Sequence, residues 1–431
     1  MKEIGLGILG FGTVGAGVVQ ILQTNGELLS NRLGLKIVLR KIADLDLERD
    51  RGVPVDSALL TTDALAVIDD PQVDVVVELI GGTTIAKDLV LKALEQGKPV
   101  VTANKALLAE HGDEIFAAAA ASRTDLYYEA SVGGGIPIIR SLREGLIANH
   151  IESMHGILNG TCNYILTRME QDDLSFDEAL ELAAAAGYAE ADPSLDIDGY
   201  DTAHKAAILA AIAYGFPVAL SDIHVEGIRG IDREEIRYAR ELGYRIKLLA
   251  IIEHIKDEVE VRVHPTLIPL EHTLSAVSHE FNAILVEGDV AGATLYYGKG
   301  AGREPTASAV VSDLADVARN LAAKSEQRVP AFVRHGHYGQ LRPIGQSVLR
   351  YYMRLTLLDE PGVLGRVADV LGSHGISIAA MIQKGASAGE YVPVIVMTHE
   401  STEENFMKAV EEISALDAVS LPPVVLRIEN F

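Results

Sequence analysis

The sequence predicts an α/β protein: a doubly wound parallel sheet, then an α+β domain, then a ferredoxin-like domain. In the first 130 residues, apolar runs of strand length alternate with helical segments. Such alternation requires crossover connections and a parallel sheet covered on both faces. From residue 351 the order is strand, helix, strand, strand, helix, strand. This βαββαβ order is the ferredoxin-like plan.

The predicted elements divide the chain into three domains and a linker. IGLGILG, KIVLRKIAD, VDVVVELIGG and PVVTANK predict strands in residues 1–130, and TVGAGVVQILQTN and AKDLVLKALEQGK predict helices between them. Residues 131–300 contain longer helices and strands such as EVEVRVHPTLI and form the predicted second domain. The amphipathic segment 308–324 predicts a helix, and the turn-rich segment 326–350 predicts a linker. Residues 351–431 form the last predicted domain.

Length, charge and cysteine content limit the classes to which the protein can belong. At 431 residues the chain predicts two or three domains. Its formal net charge of -24 opposes binding to nucleic acid or to anionic membranes. The single cysteine, Cys162, excludes an intrachain disulfide framework and suits a reducing compartment. We find no signal peptide at the start and no apolar run long enough for a membrane helix, so we expect a cytoplasmic protein.

The segment GFGTVG at 10–15 matches the dinucleotide-binding fingerprint of the Rossmann-type fold. The pattern alone is weak, but here it follows a predicted strand and opens a predicted helix, as the fingerprint requires. Gly10 permits the tight turn, Gly12 the approach of a pyrophosphate, and Gly15 close packing of helix on strand. The helix N-terminus then attracts the phosphates. A structural glycine turn is the alternative.

Ligands of doubly wound sheets bind outside the carboxyl ends of the strands, so the segments that follow the strands should surround one crevice. Asp44 follows the second strand and is placed to bind a ribose 2′-hydroxyl, as in NAD sites, and a solvated turn residue is the alternative. Arg40 and Lys41 lie close by in sequence and could instead bind the 2′-phosphate of NADP. The choice between NAD and NADP therefore stays open. The other segments at this edge are 10–15, Gly81-Gly82-Thr83 and Thr102-Ala103-Asn104-Lys105.

The acidic run GYAEADPSLDIDGYDTAHK at 187–205 leads into an alanine-rich helix. Asp201 and Lys205 are separated by one helical turn and lie on the stripe that also carries Ile208 and Ile212. An ion pair on the buried side of a helix is costly unless it serves a further purpose. The pair is therefore a candidate site. An incidental pair in the first turn of the helix is the alternative.

A lysine held beside carboxylates in a partly dry cleft can deliver a proton to a carbonyl oxygen while a dinucleotide delivers a hydride. The carboxylates around it would then bind a substrate ammonium group, with Glu190 as the first candidate. Asp196 is a second candidate for this role. Asp192, Asp198 and also Asp196 have a simpler interpretation as surface charge.

The segment EASVGGGIP at 129–137 is a candidate ion site. Its glycines free backbone carbonyls to converge, and Glu129 supplies negative charge. This set of oxygen ligands suits a monovalent or alkaline-earth cation. A plain glycine turn before a helix is the alternative.

Taken together, these motifs resemble the homoserine dehydrogenases, which interconvert homoserine and aspartate 4-semialdehyde with NAD(P) in threonine, methionine and isoleucine biosynthesis. The resemblance covers the whole chain and includes GILGFGTVG, VVVELIGG, VTANKALLA, EASVGGGIPII, GILNGTCNYIL, the acidic run, and GKGAGREPTASAVVSDL at 298–314. It implies that Lys205 is the proton donor and that Glu190 and Asp201 hold homoserine. It also implies that Lys105 lies by the cofactor and the substrate.

The same resemblance implies an ion and further cofactor contacts. It places a sodium ion at Glu129 and at the backbone carbonyls of Val132, Gly134 and Ile136. The implied cofactor contacts require the chain to return to the first domain at about 300–325. These contacts are Thr13, Val14, Gly187 and Gly302. The family's usual basic residue after the second strand is replaced by Asp44, which puts the cofactor preference in question.

The segment DEPGVLGRVADVLGSHGISI at 359–378 resembles the start of an ACT domain. Such domains pair through their sheets and bind amino acids, so the resemblance implies a homo-oligomer, at least a dimer, regulated by threonine. A dimerisation module without an effector is the alternative.

Two rival functions are a dehydrogenase of another amino-acid semialdehyde and a non-catalytic sensor of dinucleotide and amino acid. A sensor has no need for Lys205 at the edge of the cleft.

Overall fold

The computed structural model describes residues 1–336, 341–383, 385, 389–429 and 431. Its first sheet has six parallel strands in the order β3-β2-β1-β4-β5-β6. The strands are β1 (Lys2–Leu9), β2 (Leu35–Ala43), β3 (Leu60–Thr61), β4 (Val75–Glu78), β5 (Val100–Thr102) and β6 (Leu126–Tyr127). The helices are α1 (Thr13–Thr24), α2 (Gly26–Leu33), α3 (Ala64–Ile68), α4 (Ile85–Glu95) and α5 (Lys105–Ser122). The strand order reverses between β1 and β4, which places the ligand crevice at their carboxyl ends. The predicted doubly wound fold is therefore confirmed.

The second domain is built on an antiparallel sheet in the order β12-β11-β7-β9-β10, with β8 paired to β10. Its strands are β7 (Ile151–Ile157), β8 (His224–Val225), β9 (Tyr244–Ile255), β10 (Glu258–Pro269), β11 (Phe281–Gly288) and β12 (Gly292–Lys299). Its helices are α6 (Ile138–Arg140), α7 (Gly160–Asp172), α8 (Phe176–Ala185), α9 (Ser194–Ile197), α10 (Tyr200–Tyr214) and α11 (Arg233–Glu241). Helices α7 and α10 share a buried core with one face of this sheet, which fixes the position of Lys205.

Helix α12 (Arg303–Ala323) returns to the first sheet and packs against α1. A Cβ atom on Gly17 would lie 2.9 Å from the carbonyl oxygen of Arg303. Ala307, Val310 and Leu314 are buried in the same core as Val18. We therefore propose that residues 303–323 complete the first domain.

The C-terminal domain has the strand order β17-β13-β15-β14 expected of a ferredoxin-like sheet. Its elements are β13 (Val348–Leu358), α13 (Val363–Ser373), β14 (Ile378–Gln383), β15 (Tyr391–Thr398), a short β16 (Ser401–Thr402), α14 (Glu403–Ser414) and β17 (Val419–Ile428). Strand β13 begins inside the segment predicted as a linker, because Val348 and Leu349 pair with β16. Of that segment, residues 337–340 lie outside the described residues.

Two features of the junction between the second and third domains carry no sequence signal. Strand β17 pairs in parallel with β10 through Thr266↔Arg427 and Leu267↔Ile428, so the two domains share one sheet. Arg342 donates its backbone N–H to the carbonyl of Val259, which holds the end of the linker against β10.

In the described part of the chain, no helix combines the length and apolarity needed to cross a membrane.

Candidate active site

The glycine-rich turn has the geometry expected of a pyrophosphate site. Gly10 has φ of +98°, and a Cβ atom there would collide with the backbone of Leu79. A Cβ atom on Gly15 would collide with the carbonyl oxygen of Gly10, so helix and strand pack closely only because both residues are glycines. A Cβ atom on Gly12 would meet none of the described atoms within 4 Å. Helix α1 begins at Thr13, directly followed by Val14, and no described side chain caps it, so its N–H groups suit phosphate oxygens.

Asp44 lies at the carboxyl end of β2 and is tied to the glycine-rich turn. Its Oδ2 accepts a hydrogen bond of 2.6 Å from the backbone N–H of Phe11, and its Oδ1 lies 3.1 Å from Nη2 of Arg51. Arg51 also donates to the carbonyl oxygen of Phe11, and its guanidinium lies 5.0 Å from the centre of the Phe11 ring. Sequence reasoning missed Arg51, because it lies in a charged loop without periodicity.

Arg40 and Lys41 do not face the crevice. Arg40 pairs with Glu3 at 2.7 Å, near the amino end of β1. Lys41 pairs with Asp70 at 2.7 Å, in the connection that enters β4. Both side chains therefore lean towards the amino edge of the sheet, opposite to the ligand edge. The possibility that they bind a 2′-phosphate loses its geometric basis.

The ends of β4 and β5 are held together by Glu78, which the sequence did not indicate, and by residues of the two predicted edge segments. The buried carboxylate of Glu78 accepts hydrogen bonds from the N–H of Ile80 at 2.8 Å and from the hydroxyl of Thr102 at 2.6 Å. Asn104 caps α5 and donates a 2.7 Å hydrogen bond to the carbonyl of Gly82, beside Thr83. These bonds make Lys105 the first residue of α5, at the ligand edge of the sheet.

One buried carboxylate joins the two candidate lysines. Oδ2 of Asp201 lies 2.7 Å from Nζ of Lys205, and Oδ1 lies 3.0 Å from Nζ of Lys105. The predicted pairing one turn apart on α10 is therefore present. Asp201 is 3% and Lys205 8% exposed, so both lie inside the protein. Lys105 begins α5 of the first domain, whereas Asp201 lies on α10 of the second domain. Their ion pair therefore links the first sheet to the second domain.

Two more groups position this cluster. Lys205 Nζ donates a 2.6 Å hydrogen bond to the carbonyl of Leu158. The side-chain amide of Asn159 donates to Asp201 at 2.8 Å and to Asp196 at 2.7 Å. Its oxygen caps α7 by accepting from the N–H of Cys162. Asn159 lies in GILNGTCNYIL, and a helix-capping asparagine was the only signal that could have found it.

The charges of the cluster stabilise one another. Burial by itself raises the pKa of Asp201, but the charges of Lys205 and Lys105 outweigh it and hold that pKa well below its usual range. The charge of Asp201 raises the pKa of Lys105 against the opposing effect of burial. Burial, and then the charge of Asp201, raise the pKa of Asp196. Lys105 is therefore cationic and Asp201 anionic throughout the neutral range.

The other residues of the acidic run divide into two groups. Glu190 is exposed, and its charge contributes to the raised pKa of Lys105, as does that of Asp196. Asp192 accepts a hydrogen bond from the N–H of Ser194 at 3.1 Å, and Asp198 forms an ion pair with Arg229. Glu190 and Asp196 therefore act on the cluster through their charge, whereas Asp192 and Asp198 stabilise the loop. Gly187 is the first residue of the run and has φ of +77°.

The candidate ion loop is buried and charged. Glu129 is 5% exposed, and its carboxylate accepts hydrogen bonds from the N–H groups of Ile139 and Arg140 at 2.9 and 2.8 Å. Its own N–H donates to the buried carboxylate of Asp313 at 2.8 Å. Burial raises the pKa of both carboxyl groups. Two buried carboxylates next to glycine-freed carbonyls fit a cation with a preference for oxygen ligands.

The backbone of this loop lies against a second glycine-rich segment. Gly134 has φ of +52°, and a Cβ atom there would collide with the backbone of Gly300. The N–H of Gly135 donates to the carbonyl of Lys299 at 3.1 Å. Gly302 then directly precedes α12 and has φ of +116°. The carbonyl of Ile136 accepts from the N–H of Ile138 at 2.8 Å, which leaves the second lone pair of this oxygen for another partner.

The doubly wound sheet has an open glycine turn, and a buried carboxylate at the ligand edge of the sheet pairs with two lysines. This combination indicates a nicotinamide-dependent oxidoreductase. Comparison with known families makes the class specific. The family described as homoserine dehydrogenase, NAD binding domain, matches residues 10–129, and the family described as homoserine dehydrogenase matches residues 137–315. An ACT domain matches residues 351–415. The chain belongs to the homoserine dehydrogenase family, and it is an oxidoreductase that uses NAD or NADP.

Individual relatives agree with this assignment over the whole chain. The homoserine dehydrogenase of Neisseria gonorrhoeae is 45% identical, with 100% of this chain and 99% of that protein aligned. The crystal structure of a homoserine dehydrogenase from Thiobacillus denitrificans has a TM-score of 0.94 at 47% identity, covering 100% of this chain and 99% of that one. A hyperthermophilic archaeal homoserine dehydrogenase in complex with NADPH matches 73% of this chain and 98% of its own, with a TM-score of 0.63 at 26% identity.

Proposed function

We propose that Lys205 moves the proton at the C4 oxygen of homoserine and aspartate 4-semialdehyde, and that Asp201 positions it. The observation that carries this proposal is the bridge from Lys105 through Asp201 to Lys205. It places two ammonium groups where the nucleotide sheet meets the second domain. When bound, the dinucleotide supplies hydride transfer at C4.

The hydrogen bonds of Lys205 leave one proton for the substrate. An ammonium group has three N–H donors. The carbonyl of Leu158 and Oδ2 of Asp201 accept two of them. No other described residue accepts the third, which can pass to the C4 oxygen as the alcohol forms. In the direction of oxidation, the neutral amine takes a proton back. Lys105, partly exposed beside Asp201, supplies a second positive charge at the substrate.

The substrate ammonium group is assigned to Glu190 and Asp196. Both oxygens of Asp201 are already engaged, Oδ1 by Lys105 and Oδ2 by Lys205 and Asn159. Asp201 therefore holds homoserine indirectly, by positioning the lysines. Glu190 and Asp196 remain as carboxylates that can receive a cation.

Steady-state rates test this substrate assignment. We expect NAD(P)H oxidation with L-aspartate 4-semialdehyde and a loss in kcat/KM of about 10²-fold or more with an analogue that lacks the amino group, since the carboxylates would stay unpaired. L-glutamate 5-semialdehyde serves as the length control. No turnover with L-aspartate 4-semialdehyde would contradict the proposal.

We propose that NAD is the preferred cofactor. The carboxylate of Asp44 lies at the carboxyl end of β2, where such a group binds a ribose 2′-hydroxyl. The guanidinium of Arg51 donates to Asp44 and to the carbonyls of Arg49, Phe11 and Asp46. Its charge is therefore balanced within the loop and is not offered to a 2′-phosphate.

The ratio of kcat/KM for NAD to that for NADP tests this preference. We expect a ratio above one for the wild type and a lower ratio for Asp44→Asn, which removes a negative charge near the 2′ position. Arg40→Gln is the matched control, because Arg40 lies at the other edge of the sheet. A wild type that prefers NADP would contradict the proposal.

We also propose a sodium ion at Glu129 and the carbonyls of Val132, Gly134 and Ile136. The buried charges of Glu129 and Asp313 support a cation there, and hard oxygen ligands suit sodium. A higher thermal unfolding temperature in sodium chloride than in choline chloride is expected. The difference should disappear in Glu129→Gln.

The ACT domain supports a proposal about regulation and assembly. We propose a homo-oligomer, at least a dimer, in which the ACT domains bind threonine as an end product of the pathway. The sharing of one sheet by β10 and β17 supports transmission to the second domain, because α10 packs on β10. Initial rates with and without threonine test the proposal. An unchanged rate and an unchanged sedimentation coefficient would contradict it.

A further inference from the structure

Three side chains that can bind a metal meet at the junction of the second and third domains. His155 lies in β7, Glu253 lies in β9, and Glu429 directly follows β17. One ligand atom from each lies within 4.8 Å of the others. Nε2 of His155 lies 3.7 Å from Oε1 of Glu253. Strands β7 and β9 pair with Ser153 opposite Glu253, which places His155 and Glu253 on the same face of the sheet.

His155 is buried without a hydrogen-bond partner among the described residues. It is 5% exposed, and neither of its ring nitrogens takes part in a hydrogen bond there. A buried polar ring without a partner is costly. A neutral imidazole with a free lone pair is, however, the form that binds a metal ion.

The carboxylates around this histidine carry more charge than their cations balance. Arg262 is 1% exposed, and it donates to Oε2 of both Glu253 and Glu429 at 2.8 Å. It also pairs with the buried Glu260. One guanidinium therefore serves three carboxylates.

The next cation does not remove the excess. Arg342 lies 3.4 Å from Glu258 and 3.7 Å from Glu260. Among the described residues, and with the Arg342–Glu258 pair included, two guanidinium groups face four carboxyl groups. Burial raises the pKa of one of these carboxyl groups, that of Glu429. A divalent cation would balance the negative charge that remains.

We propose that His155, Glu253 and Glu429 bind a divalent transition-metal ion such as Zn²⁺ or Co²⁺. One imidazole and two carboxylates suit these ions, whereas Mg²⁺ and Ca²⁺ prefer ligands that are all oxygen. Bonds of about 2.0 to 2.2 Å require the most distant ligand atoms to approach by about 1 Å, which rotation of a glutamate side chain supplies. Arg262 keeps the second oxygen of each glutamate.

The ion would tie the C-terminal domain to the second domain. The pairing of β17 with β10 extends only over Thr266↔Arg427 and Leu267↔Ile428. Glu429 follows that pairing directly. A metal ion bound by Glu429, by His155 of β7 and by Glu253 of β9 would therefore connect the end of β17 to two further strands. Metal binding at this site therefore stabilises the docked C-terminal domain.

Titration of the metal-free, full-length protein with Co²⁺ tests the site, in sodium chloride to saturate the proposed sodium loop. We expect one Co²⁺ per chain, with a ligand-field absorption spectrum, and a higher thermal unfolding temperature. His155→Gln and Glu429→Gln should bind Co²⁺ at least about tenfold more weakly and lose the thermal shift. His374→Gln is the matched control, because His374 forms an exposed pair with Glu412 at 2.9 Å.

Two results would overturn the proposal. One is the absence of saturable Co²⁺ and Zn²⁺ binding to the wild type, which needs no variant. The other is equal affinity in the wild type and in a folded Glu429→Gln, a substitution that keeps the shape of the side chain. Circular dichroism and dinucleotide binding establish whether each variant is folded.

Discussion

Two buried ionic clusters with opposite excess charge lie in this chain. In the first cluster, one carboxylate, Asp201, holds two lysines at the nucleotide crevice. In the second cluster, one guanidinium, Arg262, holds three carboxylates where two domains share a sheet. The first therefore has an excess of cation and a spare proton, whereas the second has an excess of anion. The first is suited to acid–base chemistry at a substrate, and the second to binding a cation and joining domains.

This difference explains why both clusters are buried. A buried ion pair gains little net stability, because the charges lose their hydration. Removing one partner is costly, since it leaves a bare charge inside the protein. In the first cluster, the low dielectric would strengthen the proposed interaction of Lys205 with a developing oxyanion. In the second cluster, the low dielectric makes the docking of the C-terminal domain depend on Arg262 and its three carboxylate partners.

The largest effect is expected from Lys205→Met, which removes the proposed proton donor from the first cluster. We expect kcat to fall by about 10²- to 10⁴-fold, the usual contribution of a general acid, while the Kd for the dinucleotide stays unchanged. The control is Lys408→Met, since Lys408 forms an exposed pair with Glu404 at 2.6 Å, also one turn apart. Near-normal turnover would remove Lys205 from the proposed role.

The second cluster is broken by Arg262→Met. We expect the free energy of unfolding to fall by about 3–5 kcal/mol, because three buried carboxylates lose their shared partner. Urea unfolding of the full-length chain, followed by proteolysis at the domain junction, measures this loss. Arg40→Met is the control, since its exposed pair with Glu3 contributes at most about 1 kcal/mol. Equal losses in the two variants would show that Arg262 has no special structural role.

A smaller effect is expected from Asn159→Ser, which acts on the first cluster indirectly. Serine keeps a helix cap at α7 but removes the amide that donates to Asp196 and Asp201. We expect a fall in kcat of about tenfold, since a hydrogen bond to a charged group is worth about 1.5–3 kcal/mol. Stability should change little. A loss of stability with unchanged kcat would reduce Asn159 to a capping residue.

Lys247 is a buried lysine outside both clusters, and the effect expected there is on the pH dependence of folding. Nζ of Lys247 donates to the amide oxygen of Asn163 at 2.8 Å and to the carbonyl of Val277, both neutral acceptors. Burial, and then the charge of Arg245, lower the pKa of Lys247 to about 7, whereas Asp201 holds that of Lys105 above its usual value. A carboxylate partner thus decides the sign of the shift.

The pH dependence of folding follows from that sign. Between about pH 7 and the unfolded pKa of 10.5, the unfolded chain binds the proton that the folded chain has released. The free energy of unfolding therefore rises with pH in this window, with a slope of up to about 1.4 kcal/mol per pH unit. Lys247→Met should flatten this slope between pH 7 and pH 9, as measured by urea unfolding. An unchanged slope would contradict the lowered pKa.

Much of the first cluster could be predicted from the sequence, because it depends on local periodicity. Asp201 and Lys205 are one helical turn apart, so their pairing follows from helix geometry alone. Lys105 was found because it follows a predicted strand. The shared use of Asp201 by both lysines was not predicted, since it depends on how the second domain packs against the sheet.

The second cluster was not predicted at all. Arg262 and Glu429 are 167 residues apart and lie in different domains. Alternation along β10 indicates a strand, but it does not indicate which strand pairs with it. Arg51 was missed for a related reason, because its contacts to Asp44 and Phe11 form only when an irregular loop folds back over the glycine turn.

The sequence by itself determined the doubly wound sheet, the glycine turn, the ferredoxin-like tail and the ion pair on α10. Each of these depends on residues that are close in the chain, where periodicity and φ preferences act directly. Only the tertiary structure decided that Lys105 shares Asp201, that β17 joins β10, and that His155 faces two glutamates. Such contacts depend on the packing of whole domains, because a sequence pattern shows which face is buried but not what that face contacts.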